Sequence, residues 1–270
     1  MSNPYKIDGP AIVSFSGGRT SGFMLASILA AHGGTLPDDV RVVFNNTGLE
    51  HQATYEFVRE VGERMCPVTW LEYRRDSGTN TFAVVTPETA SKNGEPFAAL
   101  IESRSYLPNP ITRFCTVELK IRTTARYVKS LGWSEYENAV GLRADEPRRV
   151  AKMKGDSKNE HVLMPIAAAG HTIDDVRAYW KSAAFDLQLP DNDNAWGNCV
   201  GCFLKGRHKL ERMMQTDPDA FRWWAEQESK MGKTFRIDRP TYSQMLVQVR
   251  VQGRVFEQAE DDTIPCMCTE

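Results

Sequence analysis

The chain has 270 residues, 41% of them hydrophobic and 25% charged, enough for one large buried core or a domain with an appendage. Its 33 Lys and Arg against 35 Asp and Glu leave a net charge of −2, which excludes a basic field over the whole surface and leaves room only for a local patch. The longest apolar run, Gly22 to Ala31, is far too short to span a membrane, and MSNPYKIDGP lacks the apolar segment of a secretory signal. These features predict a cytoplasmic chain with no membrane partner, whose six cysteines serve metal or chemistry rather than a disulfide scaffold.

Ala11 to Phe15 reads as a short buried strand, followed at once by SGGRTSG and by a helix carried by Phe23, Met24, Ala26, Ile28 and Leu29. Val40 to Phe44 is a second strand, closed by Asn45-Asn46-Thr47-Gly48. Ala53, Phe57, Val61 and Met65 then recur every four residues, one face of a helix, before a third strand at Val68 to Tyr73. This order predicts a parallel α/β sheet with helices on both faces. Residues 74–112, rich in Pro and Gly, read as an irregular excursion with one short helix at Pro96 to Arg104. Helical spacing returns at Val117, Ile121, Thr124, Val128 and Leu131. Strands follow at Tyr136 to Gly141 and His161 to Ile166, the latter as the last core strand. Thr172 reads as an N-cap with Asp174 and Asp175 in the first turn of a helix burying Ile173, Val176 and Trp180. The chain divides into a nucleotide-binding domain over residues 1–205 and a mostly helical extension over 206–270, ending in a tail that contains cysteines.

The strongest local signal is Ser14-Phe15-Ser16-Gly17-Gly18-Arg19-Thr20-Ser21 between a strand and a helix. Its glycines admit close backbone approach by an anion, and the helix N-terminus supplies a positive pole. The Walker A and Gly-x-Gly-x-x-Gly patterns are absent; the near miss from Gly201 to Gly206 continues Arg207-His208. The turns at Ser16-Gly17-Gly18, Asn46-Thr47-Gly48 and Gly141-Leu142-Arg143 each follow a predicted strand, so they should converge on one crevice. Arg113, Lys120, Arg122, Arg143, Arg148 and Arg149 are candidate anion binders, with Glu146 placed to orient an arginine. Cys199-x2-Cys202 has the spacing of a chelating loop, for zinc or for an iron–sulfur cluster. Cys66 reads as a small buried hydrophobe, and Trp223-Trp224 as core of the extension. The basic run from Lys205 to Lys209, with Arg212, reads as a solvated helix face, with a nucleic-acid contact as the sharper alternative.

SGGRTS fits the SGGxxS pyrophosphate loop of the adenine nucleotide α-hydrolase-like (PP-loop) superfamily, and the chain resembles the phosphoadenylyl-sulfate (PAPS) reductase family within it. The resemblance runs in order through NTGLEHQATYEFV, RFCTVELK, GLRADEPRR, PIAAAGHTIDDVRAYW and GNCVGC. It implies an enzyme with an adenine-nucleotide pocket at the strand ends, formed by Ser14, Ser16, Gly17, Gly18, Arg19, Thr20, Ser21, Asn46, Thr47, Gly48, Arg113, Gly141 and Arg143, with Lys120 and Arg143 in catalytic roles. It also implies a 4Fe-4S cluster on Cys115, Cys199 and Cys202; because Phe114 stands where iron–sulfur members carry another cysteine, the fourth ligand is Cys266, Cys268, an exogenous group or none. The substrate would be ATP or a sulfonucleotide, with magnesium as the accompanying ion. A sulfonucleotide reductase is the leading reading, although the tail, IPCMCTE, lacks the Glu-Cys-Gly segment of reductases. A sulfur-transfer enzyme that adenylates its acceptor and releases pyrophosphate is the alternative, and a non-catalytic nucleotide-binding module the third. Expected partners are a sulfur or electron donor protein, a nucleic-acid acceptor in the sulfur-transfer reading, and a second copy of the chain.

Overall fold

The structure is a computed structural model, and it describes residues 3–153, 159–190, 195–252 and 262–264. Its sheet, six-stranded among the described residues, holds β1 (Ala11–Ser14), β2 (Val40–Asn46), β3 (Val68–Asp76), β4 (Thr79–Val85), β5 (Tyr136–Val140) and β6 (Glu160–Leu163) in the order β4-β3-β2-β1-β5-β6. All neighbours are parallel except β3 and β4. The chain steps from β1 outward through β2 and β3, then returns to place β5 on the other side of β1. The β1–β5 boundary is therefore the switch point of the sheet, where an open α/β sheet offers a crevice at its carboxyl edge.

Three helices cover one face: α1 (Arg19–Ala31), α2 (Gln52–Arg64) and, much later in the chain, α8 (Ile173–Ser182). Alternate strand residues Val13, Phe15, Val42 and Phe44 meet Ile28, Phe57, Val58, Val61 and Trp180 there, all buried. Gly22 makes room for Trp180, since a Cβ on it would lie 2.6 Å from the indole, whose Nε1 donates to the Arg19 carbonyl at 2.8 Å. Thr172 and Asp175 close a capping box on α8, as expected; Val176 and Trp180 are buried, while Ile173, expected beside them, is only half-buried in the first turn.

The other face carries α3 (Glu95–Arg104), α4 (Phe114–Thr116), a π-helical turn (Val117–Ile121) and α5 (Arg122–Ser130). Between β5 and α8 lie α6 (Pro147–Met153) and α7 (Pro165–Ala168). The extension folds as α9 (Arg207–Thr216), a short 3-10 turn (Asp219–Phe221), α10 (Arg222–Met231) and α11 (Tyr242–Gln252). Its core joins Trp224, Phe235 and Tyr242 to Leu49, Phe97 and Leu119, so this cluster draws on residues from both sides of position 205. No helix among the described residues is long and apolar enough to cross a membrane.

Residues 74–112 are more regular than the sequence predicts. Ser77 and Gly78 turn at φ 45° and 81°, the pair of positive dihedrals that a two-residue hairpin needs, and β4 pairs back along β3 from Asp76↔Thr79 to Trp70↔Val85. The helix expected at Pro96 to Arg104 is present as α3. The strand expected to run to Ile166 stops at Leu163 because Pro165 opens α7; proline has no N–H for a ladder and suits the first helical turn.

Candidate active site at the strand ends

Loop 15–18 leaves β1 and enters α1 through Gly18, whose lack of a side chain leaves the first-turn amides of α1 without a side-chain cap. Those amides and the helix dipole make a positive pole. Ser21 shapes the loop: its hydroxyl accepts from Ser16 N at 3.1 Å and donates to Gly18 O at 3.1 Å, with Ser16 Oγ 2.9 Å away. Gly17 has φ +77°, and a Cβ there would sit 2.6 Å from Thr54 and 2.9 Å from Val58. The glycine is thus required first by the seating of the loop on α2, a reason additional to the anion approach read from sequence. Ser16, Gly17 and Gly18 face a narrow gap closed by Thr54, Leu187, Gly197 and Asn198.

Arg19 turns aside from this gap. Its guanidinium grips Asp186 at 2.7 and 2.9 Å and donates to Leu187 O, tying the segment after α8 to the loop. Thr20 accepts from Arg143 Nη1 at 3.1 Å. Arg143 also meets Asp145 at 3.0 Å, and Glu146 accepts from the Arg143 backbone N–H and pairs with Arg149, the orienting role expected of it. Gly141 lets β5 close on α1, because its Cβ would lie 3.2 Å from Ser21 Cα. Arg143 therefore braces the β5 loop against α1.

The Asn46-Thr47-Gly48 turn is held by buried carboxylates. Asn46 donates to Glu72 at 2.7 Å and to Ser91 O at 2.8 Å, and accepts from Gly48 N at 2.9 Å. Thr47 donates to Glu50 through both its N–H, at 3.2 Å, and its hydroxyl, at 2.7 Å. Gly48, at φ +80°, abuts Gly94, whose N–H donates to Gly48 O at 2.8 Å. Two carboxylates that the sequence reading did not single out, Glu50 and Glu72, thus shape this turn.

Beside the loop, on the α5 face at the switch point, opens a cavity of about 290 Å³. Its polar lining includes Ser14, Ser16, Asn45, Lys120, Asn138 and Glu160. Ser14 donates to Asn138 at 2.8 Å, Asn138 to Glu160 at 2.6 Å, and Asn45 to Thr124 at 2.9 Å. Tyr136 also lines it, and burial together with Glu160 pushes its phenol well above the usual range. Asn45, Asn138 and Glu160 were missed in the sequence; their only signal is a polar side chain inside a strand that otherwise reads as apolar. Lys120 reaches the cavity from the π-helical turn, a feature that re-aims a helix face and recurs at functional sites. Arg113 donates to Pro110 O at 3.0 Å, and neither it nor Arg143 is among the residues that line the cavity.

The Cys199–Cys202 loop packs against this edge. Glu50 and Cys199 form an isolated bridge, Val200 N donates to Leu49 O at 2.8 Å, and Thr47 Oγ1 lies 3.3 Å from Cys199 Sγ. Lys205 collects the carbonyls of Gly197, Cys199 and Val200 at 2.6–3.0 Å, so the first residue of the basic run holds this loop. Burial pushes the Cys199 thiol well up, Glu50 and Cys202 add to this, and Lys120 and Thr47 oppose it. Among the described residues no three His, Cys, Asp or Glu side chains are gathered to hold a metal ion. Cys115, Cys199 and Cys202 all pack against the C-terminal hydrophobic cluster, and Cys266 and Cys268, the cysteines expected as fourth ligand, lie outside the described residues. Cys66 packs against the main core, and burial raises its thiol to about 11. A larger groove, about 670 Å³, is lined among the described residues by the C-terminal helices and their connections, including Met214, Pro218, Arg222, Leu246 and Arg250.

No protein-family model matches the sequence. The uncharacterized nin region protein ORF290 of Escherichia phage lambda is 32% identical over 207 residues, covering 74% of this chain and 67% of that protein. The chain belongs to the ORF290 family. Among solved structures, the PAPS reductase of Candida auris in its phosphate complex is 18% identical, with a TM-score of 0.43, covering 67% of this chain and 75% of that one. Strand order and connectivity give this ORF290-family member its fold class, an α/β sheet wrapped by helices with a helical C-terminal part.

Proposed function

We propose that this ORF290-family chain is an adenine-nucleotide-using enzyme of PAPS reductase type, acting in sulfur chemistry. The observation that carries the reading is the position of Ser16, which lines both the gap at the start of α1 and the polar cavity at the switch point. A nucleotide laid across Ser16 would put its phosphates against the amides of Gly18 and the first turn of α1. Its base and sugar would enter the cavity of Asn45, Asn138 and Glu160. Lys120 would then bring a compact positive charge to the phosphate or sulfate oxygens on which negative charge grows. Arg143 acts one step back, fixing Thr20 and the β5 loop.

The leading reaction is two-electron reduction of a sulfonucleotide by a dithiol donor: the bond between the sulfate sulfur and the phosphate oxygen breaks, sulfite and the adenine nucleotide leave, and the dithiol is oxidised to a disulfide. The uncapped amides at the start of α1 favour a second reading, capture of pyrophosphate from ATP with adenylation of an acceptor. The test is anaerobic incubation of purified protein with ATP, adenylyl sulfate and its 3′-phosphorylated form, each with an excess of a dithiol reductant, with iron and sulfide measured on the same preparation. Sulfite release identifies the reductase and pyrophosphate release the adenylating enzyme. Failure to bind any of the three nucleotides would overturn the proposal.

A further inference from the structure

Between Arg104 and Lys129 the chain carries six basic side chains, Arg104, Arg113, Lys120, Arg122, Arg126 and Lys129, against one acidic residue, Glu118. That is a local excess in a chain whose net charge is −2. Glu118 is fully buried and is shared by Arg104 at 2.5 Å, Arg122 at 2.6 Å and Arg126 at 3.0 Å. One carboxylate cannot neutralise three guanidiniums, so positive charge remains on the outer side, where Arg122 is 57% exposed.

The same stretch also exposes apolar side chains. Tyr106 is 41% exposed, Ile111 93%, Val117 37% and Ile121 53%. Tyr106 is not a loose ring: it meets Phe114 edge-on at 4.8 Å, and the Arg104 guanidinium lies over Phe114 at 5.8 Å. Asn109 accepts from the N–H groups of Ile111 and Thr112, both at 2.9 Å, which fixes the loop that presents Ile111. Ile121 belongs both to this surface and to the wall of the strand-end cavity, so the patch runs up to the mouth of that cavity.

We infer that this patch docks a single-stranded nucleic acid, whose phosphates meet Arg104 and Arg122 and whose bases lie on Tyr106 and the exposed aliphatic side chains. Positive charge interleaved with a fixed aromatic ring is the chemistry that holds unpaired strands. A duplex keeps its base faces stacked and could use the charge alone. The rival basic segment near α9 is spent internally: Lys205 holds carbonyls, and Arg207 pairs with Glu211 and Gln248. This inference stands independently of the nucleotide proposal, since the patch would bind whatever reaction the cavity supports.

The test is fluorescence anisotropy of a labelled oligothymidylate with the full-length protein at low salt, with an oligouridylate and a duplex in parallel. The wild type should bind both single strands with similar affinity and the duplex more weakly. Arg122→Ala should lower the slope of log K against log salt by about one. Tyr106→Ala with Ile111→Ser should weaken single-strand binding at least tenfold without changing the melting temperature or the affinity for adenine nucleotide. Lys209→Ala with Arg212→Ala should stay within twofold of wild type. Absence of saturable binding would overturn the inference, as would binding that only the Lys209 and Arg212 changes reduce. A dimer that Ile111→Ser dissolves, in a protein that binds no oligonucleotide, would assign the patch to a second copy instead.

Discussion

The core beneath α1, α2 and α8 and the core of the C-terminal helices are both deeply buried, but they are assembled differently. The first comes from strand residues alternating in period two and helix residues recurring every three or four, so Val13, Phe15, Phe57 and Val61 are written where local rules put them. The second collects Leu49 from a loop, Phe97 from α3, Trp196 and Phe203 from the Cys199–Cys202 region, and Trp224 and Tyr242 from helices far along the chain. Each core has a tryptophan seated against a glycine: Trp180 on Gly22, and Trp224 on Gly201. Trp180 has a hydrogen-bond partner for its indole N–H, whereas the Trp224 Nε1 has none among the described residues. At the centre of the second core the Trp224 ring is held by packing while Tyr242 Oη donates to Gly201 O at 2.5 Å, and it is this core that supports the loop closing the candidate site.

That contrast can be broken most directly at the indoles. Trp224→Ala should cost about 3–5 kcal/mol, the range for emptying a large buried aromatic site, measured by urea unfolding. A much smaller loss would mean that Phe203, Phe235 and Tyr242 do not lock the ring as their contacts indicate.

Next in size is the glycine pair. A Cβ at Gly201 would lie 2.2 Å from the Trp224 indole, and one at Gly22 2.6 Å from Trp180. Overpacking of this kind costs about 1–3 kcal/mol, with Gly201→Ala the more destabilising because Trp224 is ringed on several sides. Equal unfolding midpoints for Gly201→Ala and Gly22→Ala would contradict the ordering.

The smallest effect sharpens the comparison through pH. Burial alone would raise the Glu118 carboxyl, but the hydrogen bonds of Arg126, Arg122 and Arg104 hold it below its ordinary 4.5. Burial raises Glu228, in the C-terminal core, although it accepts from Tyr242 N and Phe235 N. The signs are opposite. The Glu118 contribution is complete above its ordinary value and is lost as pH falls through its lowered one. The Glu228 contribution is present below 4.5 and is lost as pH rises through its raised value. Glu118→Gln should therefore flatten the acid limb of a stability–pH curve, and Glu228→Gln the limb above it. Variants with curves parallel to the wild type would refute both assignments.

The sheet was legible because β1, β2, β3 and β5 follow the apolar pattern of buried strands, and α2 follows a clean helical stripe. The edge strand β4 was not: Thr79-Asn80-Thr81 is polar, as suits an edge, and the Pro and Gly around it read as irregular chain. The π-helical turn also escaped, because one extra residue per turn barely disturbs the spacing of Val117, Ile121 and Thr124. In the site, the Ser16-Gly17-Gly18 loop and Lys120 were legible as a motif. Pairings across more than a hundred residues, such as Arg19 with Asp186, Arg143 with Thr20 and Ser14 with Asn138, leave no local trace.

The central claim is that one adenine nucleotide spans Ser16, with phosphates at α1 and base in the cavity. Isothermal titration calorimetry with ATP and with adenylyl sulfate, on the wild type, Lys120→Ala and Asn138→Leu, tests it directly. One site per chain is expected for at least one of the two nucleotides. Affinity should fall about tenfold or more in each variant, about 1.4 kcal/mol, the scale of a hydrogen bond to a charged group. A wild type that binds neither nucleotide, or variants that bind as tightly as the wild type, would contradict it.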